Sequence, residues 1–161
     1  MREPLPAFIG LGANLGDPRA ALDAAFHALA ALPRTTLRAA SSLYRSAPVD
    51  AGGPDYLNAV VLLATQLAPH TLLAELQRIE RVHGRERSYR NAPRTLDLDL
   101  LLYGDRRLAT PTLTVPHPRL HERAFVLRPL AELAPALLIP GRGPVADLLA
   151  GVSAQRIDKL R

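Results

Sequence analysis

Cysteine is absent from this chain of 161 residues, and so is tryptophan. Without thiols there is no disulfide framework and no cysteine-ligated zinc or iron–sulfur centre. Aromatic residues make up only 4% of the sequence. That is thin material for a surface that reads nucleic-acid bases by stacking, and no aromatic-rich RNA-binding run occurs. No apolar run approaches the ~20 residues needed to cross a bilayer. No secretory leader pattern is visible either, so the expected location is the cytoplasm. Lysine occurs once, as Lys159, although Lys and Arg together number 20 and the net charge is +5.

The remaining basic residues are therefore arginines, whose planar forks suit phosphate and carboxylate oxygens. Codon bias accounts for the bulk count; position carries more information. Residues 78–94 contain Arg78, Arg81, Arg85, Arg87, Arg90 and Arg94 against only Glu80 and Glu86. A basic segment set in an otherwise near-neutral chain points to an anionic partner. With 48% apolar and 22% charged residues, the chain has ample material for one core. Its length fits a single domain over residues 1–161.

Hydrophobic spacing gives the order of elements. Residues 7–11 read as a buried strand, and glycines follow. Asp17-Pro18 is a helix start, with Asp as cap and Pro at the first helical position. Leu22, Ala25, Phe26, Leu29 and Leu32 then recur at helical spacing up to Pro33. Residues 35–46 read as one long strand, and residues 56–67 as its antiparallel partner across a Gly/Pro loop. Residues 69–83 read as a second amphipathic helix closed by Gly84. Residues 96–103 form a further strand, and 108 with 113–115 a small extended pair. A third helix is expected over 121–133, interrupted by Pro129, and a short fourth over 144–150. The order β-α-β-β-α-β plus C-terminal helices suits an α+β, ferredoxin-like split βαβ sheet with helices on both faces.

The sharpest chemical feature is Asp97-Leu98-Asp99 within the last core strand. Side chains alternate along a strand, so Leu96, Leu98, Leu100 and Leu102 are expected on one face and both aspartates on the other, with Cα atoms about 6.6 Å apart. Two such anions repel by roughly 2 kcal/mol at an effective dielectric near 20. A divalent cation removes that repulsion, and Mg²⁺ commonly takes one or two carboxylates plus substrate phosphates. The same pair also suits a solvated face matched by arginines. Arg85, Arg87, Arg90 and Arg94 lie just before it and favour a nucleotide–metal site.

Gly10, Gly12 and Gly16 fail the dinucleotide spacing, because Leu15 stands where the third glycine belongs. They read as a tight strand-to-helix turn with room for a site-lining role. Tyr56 and Asn58 share a strand face, and a ring beside an amide suits a flat heterocycle or an ordinary strand edge. His117 and His121 have a spacing that would suit zinc on a helix, but prolines flank His117. A hydrogen-bond donor to phosphate is the better reading of His117.

Arg90-Asn91-Ala92-Pro93-Arg94-Thr95-Leu96-Asp97-Leu98-Asp99 resembles the signature of the 6-hydroxymethyl-7,8-dihydropterin pyrophosphokinase family. Gly12-Ala13-Asn14-Leu15, Pro54-Asp55-Tyr56-Leu57-Asn58-Ala59, Gln77-Arg78-Ile79-Glu80, Leu113-Thr114-Val115-Pro116-His117 and Arg123-Ala124-Phe125 extend the resemblance along the chain. The resemblance implies diphosphoryl transfer from ATP to the pterin alcohol in folate biosynthesis, by a monomer that binds neither nucleic acid nor membrane. It implies two Mg²⁺ ions on Asp97 and Asp99, with Arg85 and Arg94 as the catalytic arginines and Arg87 assisting. Gln77, Glu80, Leu100, Thr114 and His117 would complete the ATP side. Ser46, Ala47, Val49, Tyr56, Asn58, Arg123 and Phe125 would form the pterin side.

Overall fold

The computed structural model describes residues 3–47, 54–84 and 96–160. Its centre is strand β1 (Leu5–Ala13), flanked by β4 (Tyr56–Thr65) and β5 (Asp97–Tyr103). β2 (Thr35–Ala40) and β3 (Tyr44–Ser46) both pair with the far side of β4, and β10 (Ile157–Lys159) pairs with β3. All these pairs are antiparallel. The core order β5-β1-β4 followed by β2 and β3 is that of the expected split βαβ sheet.

Helices cover both faces. α1 (Pro18–Ala30) and α2 (Pro69–Ile79) pack on Ala7, Ile9, Leu11, Val61, Leu63, Leu98 and Leu100. On the other face, α3 (Ala124–Leu133) and α4 (Val145–Ala150) pack on Phe8, Val60, Leu101 and Leu102. The result is the expected three-layer α/β/α arrangement, held by two apolar cores. Two small hairpins complete it: β6 (Leu108–Ala109) with β7 (Thr114–Val115), and β8 (Leu138–Ile139) with β9 (Gly143–Pro144). Among the described residues, no helix is long and apolar enough to cross a membrane.

Five sequence expectations need correction, each for a local reason. Leu102 does not share a face with Leu98 and Leu100. The β1–β5 register runs from Ile9↔Leu100 to Phe8↔Leu102, leaving Leu101 as an extra residue. This bulge resets the alternation, so Leu101 and Leu102 enter the α3/α4 core while Tyr103 turns to the α1/α2 side. Gly10 makes room for it: a Cβ there would lie 3.4 Å from both methyls of Leu101. Gly10 and Gly12 therefore belong to β1, and only Gly16, at φ 69°, serves the turn.

The expected long strand over 35–46 is broken between β2 and β3. The Ser41 amide donates to the Val60 carbonyl, while the Val60 amide donates to the Ser41 hydroxyl, both at 2.9 Å. A side-chain oxygen thus takes the place of a ladder carbonyl, a substitution to which serine is prone. The second helix ends at Ile79, and a π turn (Glu80–Gly84) replaces its expected last turn. There Glu80 turns inward and accepts the Leu98 amide at 2.8 Å. The third helix breaks at Arg123, not at Pro129, which sits inside α3. A 3₁₀ turn (Leu120–Glu122) precedes the break. Gln155 bridges it, accepting from the Ala124 amide and donating to the Glu122 carbonyl.

α1 begins as its sequence dictates: Asp17 accepts the Ala20 amide at 3.1 Å, and Pro18 needs no partner for a missing N–H. Asp17→Ala should lower unfolding free energy by about 1 kcal/mol. Urea titration should show the midpoint falling while the slope is unchanged.

Candidate active site

The two apolar cores leave one area of the α3/α4 face polar. It lies where β1 ends and where β4 and β5 begin. Directly paired residues of neighbouring strands share a face. The register therefore sets Tyr44, Asn58, Gly12 and Asp97 in one row, with Ser46↔Tyr56 and Gly10↔Asp99 beside it. Asp97 and Asp99 are both half-buried, and the bulge at Leu101 lies beyond them. Glu80 supports this end of β5 from below through the Leu98 amide, which lies between the two aspartates.

Asn58 is 3% exposed and donates its amide N–H to the Ser46 Oγ at 2.7 Å. That bond fixes which way the amide faces. Its Oδ1 lies over Gly12, 3.5 Å from where a Cβ would stand. Tyr56 is half-buried beside it, and Phe125 opens α3 with the Arg123 guanidinium 5.4 Å from its ring centre. The proposed pterin wall is thus assembled from β3, β4 and the start of α3.

His117 stands before the 3₁₀ turn, held by its own amide donating to the Leu101 carbonyl at 2.9 Å. The Arg119 amide donates to its Nδ1 at 3.1 Å. The neutral ring must then carry its proton on Nε2, which makes that nitrogen a donor. Burial lowers its pKa; the Asp99 carboxylate opposes this, while Arg123 and Arg119 add to the lowering. His117, Asp99 and Arg123 are therefore electrostatic neighbours, as one phosphate site requires.

The other expected residues fall less uniformly. Gln77 and Thr114 are exposed, on α2 and β7. Leu100 is buried under the α1/α2 layer, so any ligand contact falls to its backbone. Ala47 lies exposed at the end of β3. Val49, Arg85, Arg87 and Arg94 lie outside the described residues.

A carboxylate that sequence reading passed over, Glu132 of α3, clamps the β2–β3 junction. It accepts from the Ser42 amide at 3.0 Å, the Ser42 hydroxyl at 3.0 Å and the Tyr44 hydroxyl at 2.5 Å. Burial, then the Glu132 hydrogen bond and charge, push the Tyr44 phenol up to about 12, with Arg128 opposing. Burial would raise Glu132 too, but its bonds from Tyr44 and Ser42 and the charge of Lys159 leave it below the usual carboxylate range.

Comparison with known proteins follows this geometry. The family model described as 7,8-dihydro-6-hydroxymethylpterin-pyrophosphokinase matches residues 8–135. The chain belongs to that family. A Pseudomonas aeruginosa 2-amino-4-hydroxy-6-hydroxymethyldihydropteridine pyrophosphokinase is 47% identical over 154 residues, 95% of each chain. The Haemophilus influenzae protein of the same name is 43% identical over 157 residues, covering 97% of this chain and 98% of the relative. Among solved structures, wild-type Plasmodium falciparum HPPK-DHPS with pteroate superposes with a TM-score of 0.75 at 12% identity. The match covers 96% of this chain but only 43% of that one. At that identity the likeness speaks for the fold.

In this pyrophosphokinase-family chain the aspartate pair suits Mg²⁺. Carboxylate oxygens are hard donors, and two of them leave room for substrate phosphates and water in an octahedral shell. Gly12, opposite Asp97, brings no side chain into that space. Among the described residues no group of three or more His, Cys, Asp or Glu side chains could form a protein cage for a metal.

The clamp makes a pH prediction. An unfolded tyrosine ionises near 10, whereas Tyr44 holds its proton to about 12. Its contribution to stability is therefore complete below pH 10 and lost as pH rises through 12. Wild-type stability in urea should fall over this alkaline range. Tyr44→Phe should flatten the fall and leave the neutral-to-acid limb in place.

Proposed function

We propose that this chain transfers the diphosphoryl group of ATP to 6-hydroxymethyl-7,8-dihydropterin, giving AMP and the pterin diphosphate for folate biosynthesis. The observation that carries this reading is the single sheet row that runs from Ser46 and Asn58 across Gly12 to Asp97. One end offers hydrogen bonds to a flat polar ring. The other offers carboxylates for a metal–phosphate complex.

Asp97 and Asp99 would hold two Mg²⁺ ions. Bound there, the ions would neutralise phosphate charge and polarise the β-phosphorus. Arg85 and Arg94, with Arg87, would grip the phosphates and stabilise charge that develops on transfer. His117 would donate from Nε2 to a phosphate oxygen. Gln77, Glu80, Thr114 and the Leu100 backbone would border the nucleotide, Glu80 also by keeping β5 in place.

On the pterin side, Asn58 would bond the ring edge, with its amide orientation set by Ser46. Tyr56 and Phe125 would stack on the ring, and Ala47, Val49 and Arg123 would close the pocket. The pterin hydroxyl oxygen would attack the β-phosphorus as the bond from that phosphorus to the α-bridging oxygen breaks. AMP leaves with that oxygen, and the hydroxyl proton passes to solvent. Most of the acceleration comes from alignment and charge stabilisation. The whole site lies within one domain that acts as a monomer in the cytoplasm.

Product analysis with Mg²⁺, ATP and the pterin should give AMP and a diphosphorylated pterin in equal amounts. ADP and a monophosphorylated pterin would overturn the transfer step. Asn58→Ala should raise the pterin KM by about tenfold or more and spare ATP, since it leaves a ring-edge polar group unpaired. Equal weakening of both ligands would assign Asn58 a structural role. Arg94→Ala should lower kcat by on the order of 10²–10³.

A further inference from the structure

We infer that Gly12 is a specificity-determining position, where a missing side chain provides the floor that the pterin ring crosses. The inference rests on the proposed function. Gly12 is the middle member of the row Asn58–Gly12–Asp97. Neighbouring strands lie about 4.8 Å apart, so the residues at the two ends are separated by about 10 Å. A bicyclic pterin gripped at its edge by Asn58, with its hydroxymethyl arm presented to phosphate at Asp97, spans that gap and lies across β1.

Packing and backbone conformation do not account for a glycine here. Gly12 lies within β1 and is not one of the glycines at positive φ. Glycine inside a strand weakens it and often marks the close approach of a ligand. Its neighbour Gly10 is explained differently, because a Cβ there would press on Leu101 at 3.4 Å. At Gly12 a Cβ would meet only the Asn58 Oδ1 at 3.5 Å and the Tyr56 Cδ1 at 3.8 Å, both ordinary contacts. The free protein has room for a methyl group. That methyl would project into the layer the ring must occupy, between the Asn58 amide and the carboxylates.

The test is Gly12→Ala in the full chain. It combines melting temperature, affinity for a non-hydrolysable ATP analogue, and steady-state AMP release with varied pterin. The melting temperature should equal or exceed that of wild type, because alanine costs less backbone entropy than glycine. Affinity for the ATP analogue should stay within about twofold while the pterin KM rises about tenfold or more. A folded variant with unchanged pterin KM would overturn the inference, as would equal loss of pterin and nucleotide affinity. A variant that fails to fold would also overturn it, since the structure accommodates the methyl. Wild-type protein that makes no pterin diphosphate would sink the functional reading itself, a result distinct from all of these.

Discussion

The site depends on where strand β5 stops alternating. Its first residues place Asp97 and Asp99 on the α3/α4 face and Leu98 and Leu100 in the opposite core. Left unbroken, that alternation would carry Leu102 to the α1/α2 side. The extra residue, Leu101, shifts the phase and puts two leucines in succession under α3. One strand face is thereby divided into an open polar end and a covered apolar end. Gly10 permits this by leaving space for the Leu101 side chain, so a residue that reads as turn punctuation instead sets the boundary of the site.

Much of the architecture was legible because it rests on local periodicity. The apolar stripe after Asp17-Pro18, the leucine-rich last core strand and the Gly/Pro loop before Tyr56 each carry their own signal. The aspartate pair was legible for the same reason: two charges at strand spacing inside an apolar run invite an explanation. What stayed hidden depends on partners remote in sequence. Ser41 breaks a strand only because the Val60 amide lies opposite, and the third helix breaks at Arg123 with Gln155 bridging the gap. Glu132 looks like an ordinary charged helix residue until α3 brings it to Ser42 and Tyr44, some ninety positions away. No periodicity records such pairings.

The polar part of the structure divides its labour. Carboxylates at the site stand on a regular strand, where their spacing is fixed by the backbone and supported by Glu80. The pterin-side amide is oriented by one short side-chain bond within the same sheet. His117 gains its donor nitrogen from a single backbone contact at Nδ1. In each case a group expected to face ligand is held by another that points away from it, which lowers the reorganisation needed when charge moves.

The outer edge of β3 is covered by β10, which follows α4 near the far end of the sequence. Ser46 therefore lies on a strand whose second partner is the last of the sheet to be synthesised. On the ribosome, β3 and β4 can meet early through their short connection, whereas β3 waits with one edge unpaired until Ile157–Lys159 has emerged. Long-range closure of this kind incurs its entropy before it yields contacts. The wall beside the proposed pterin pocket is thus completed late in biogenesis, after the carboxylate strand at the opposite side of the sheet is already in place.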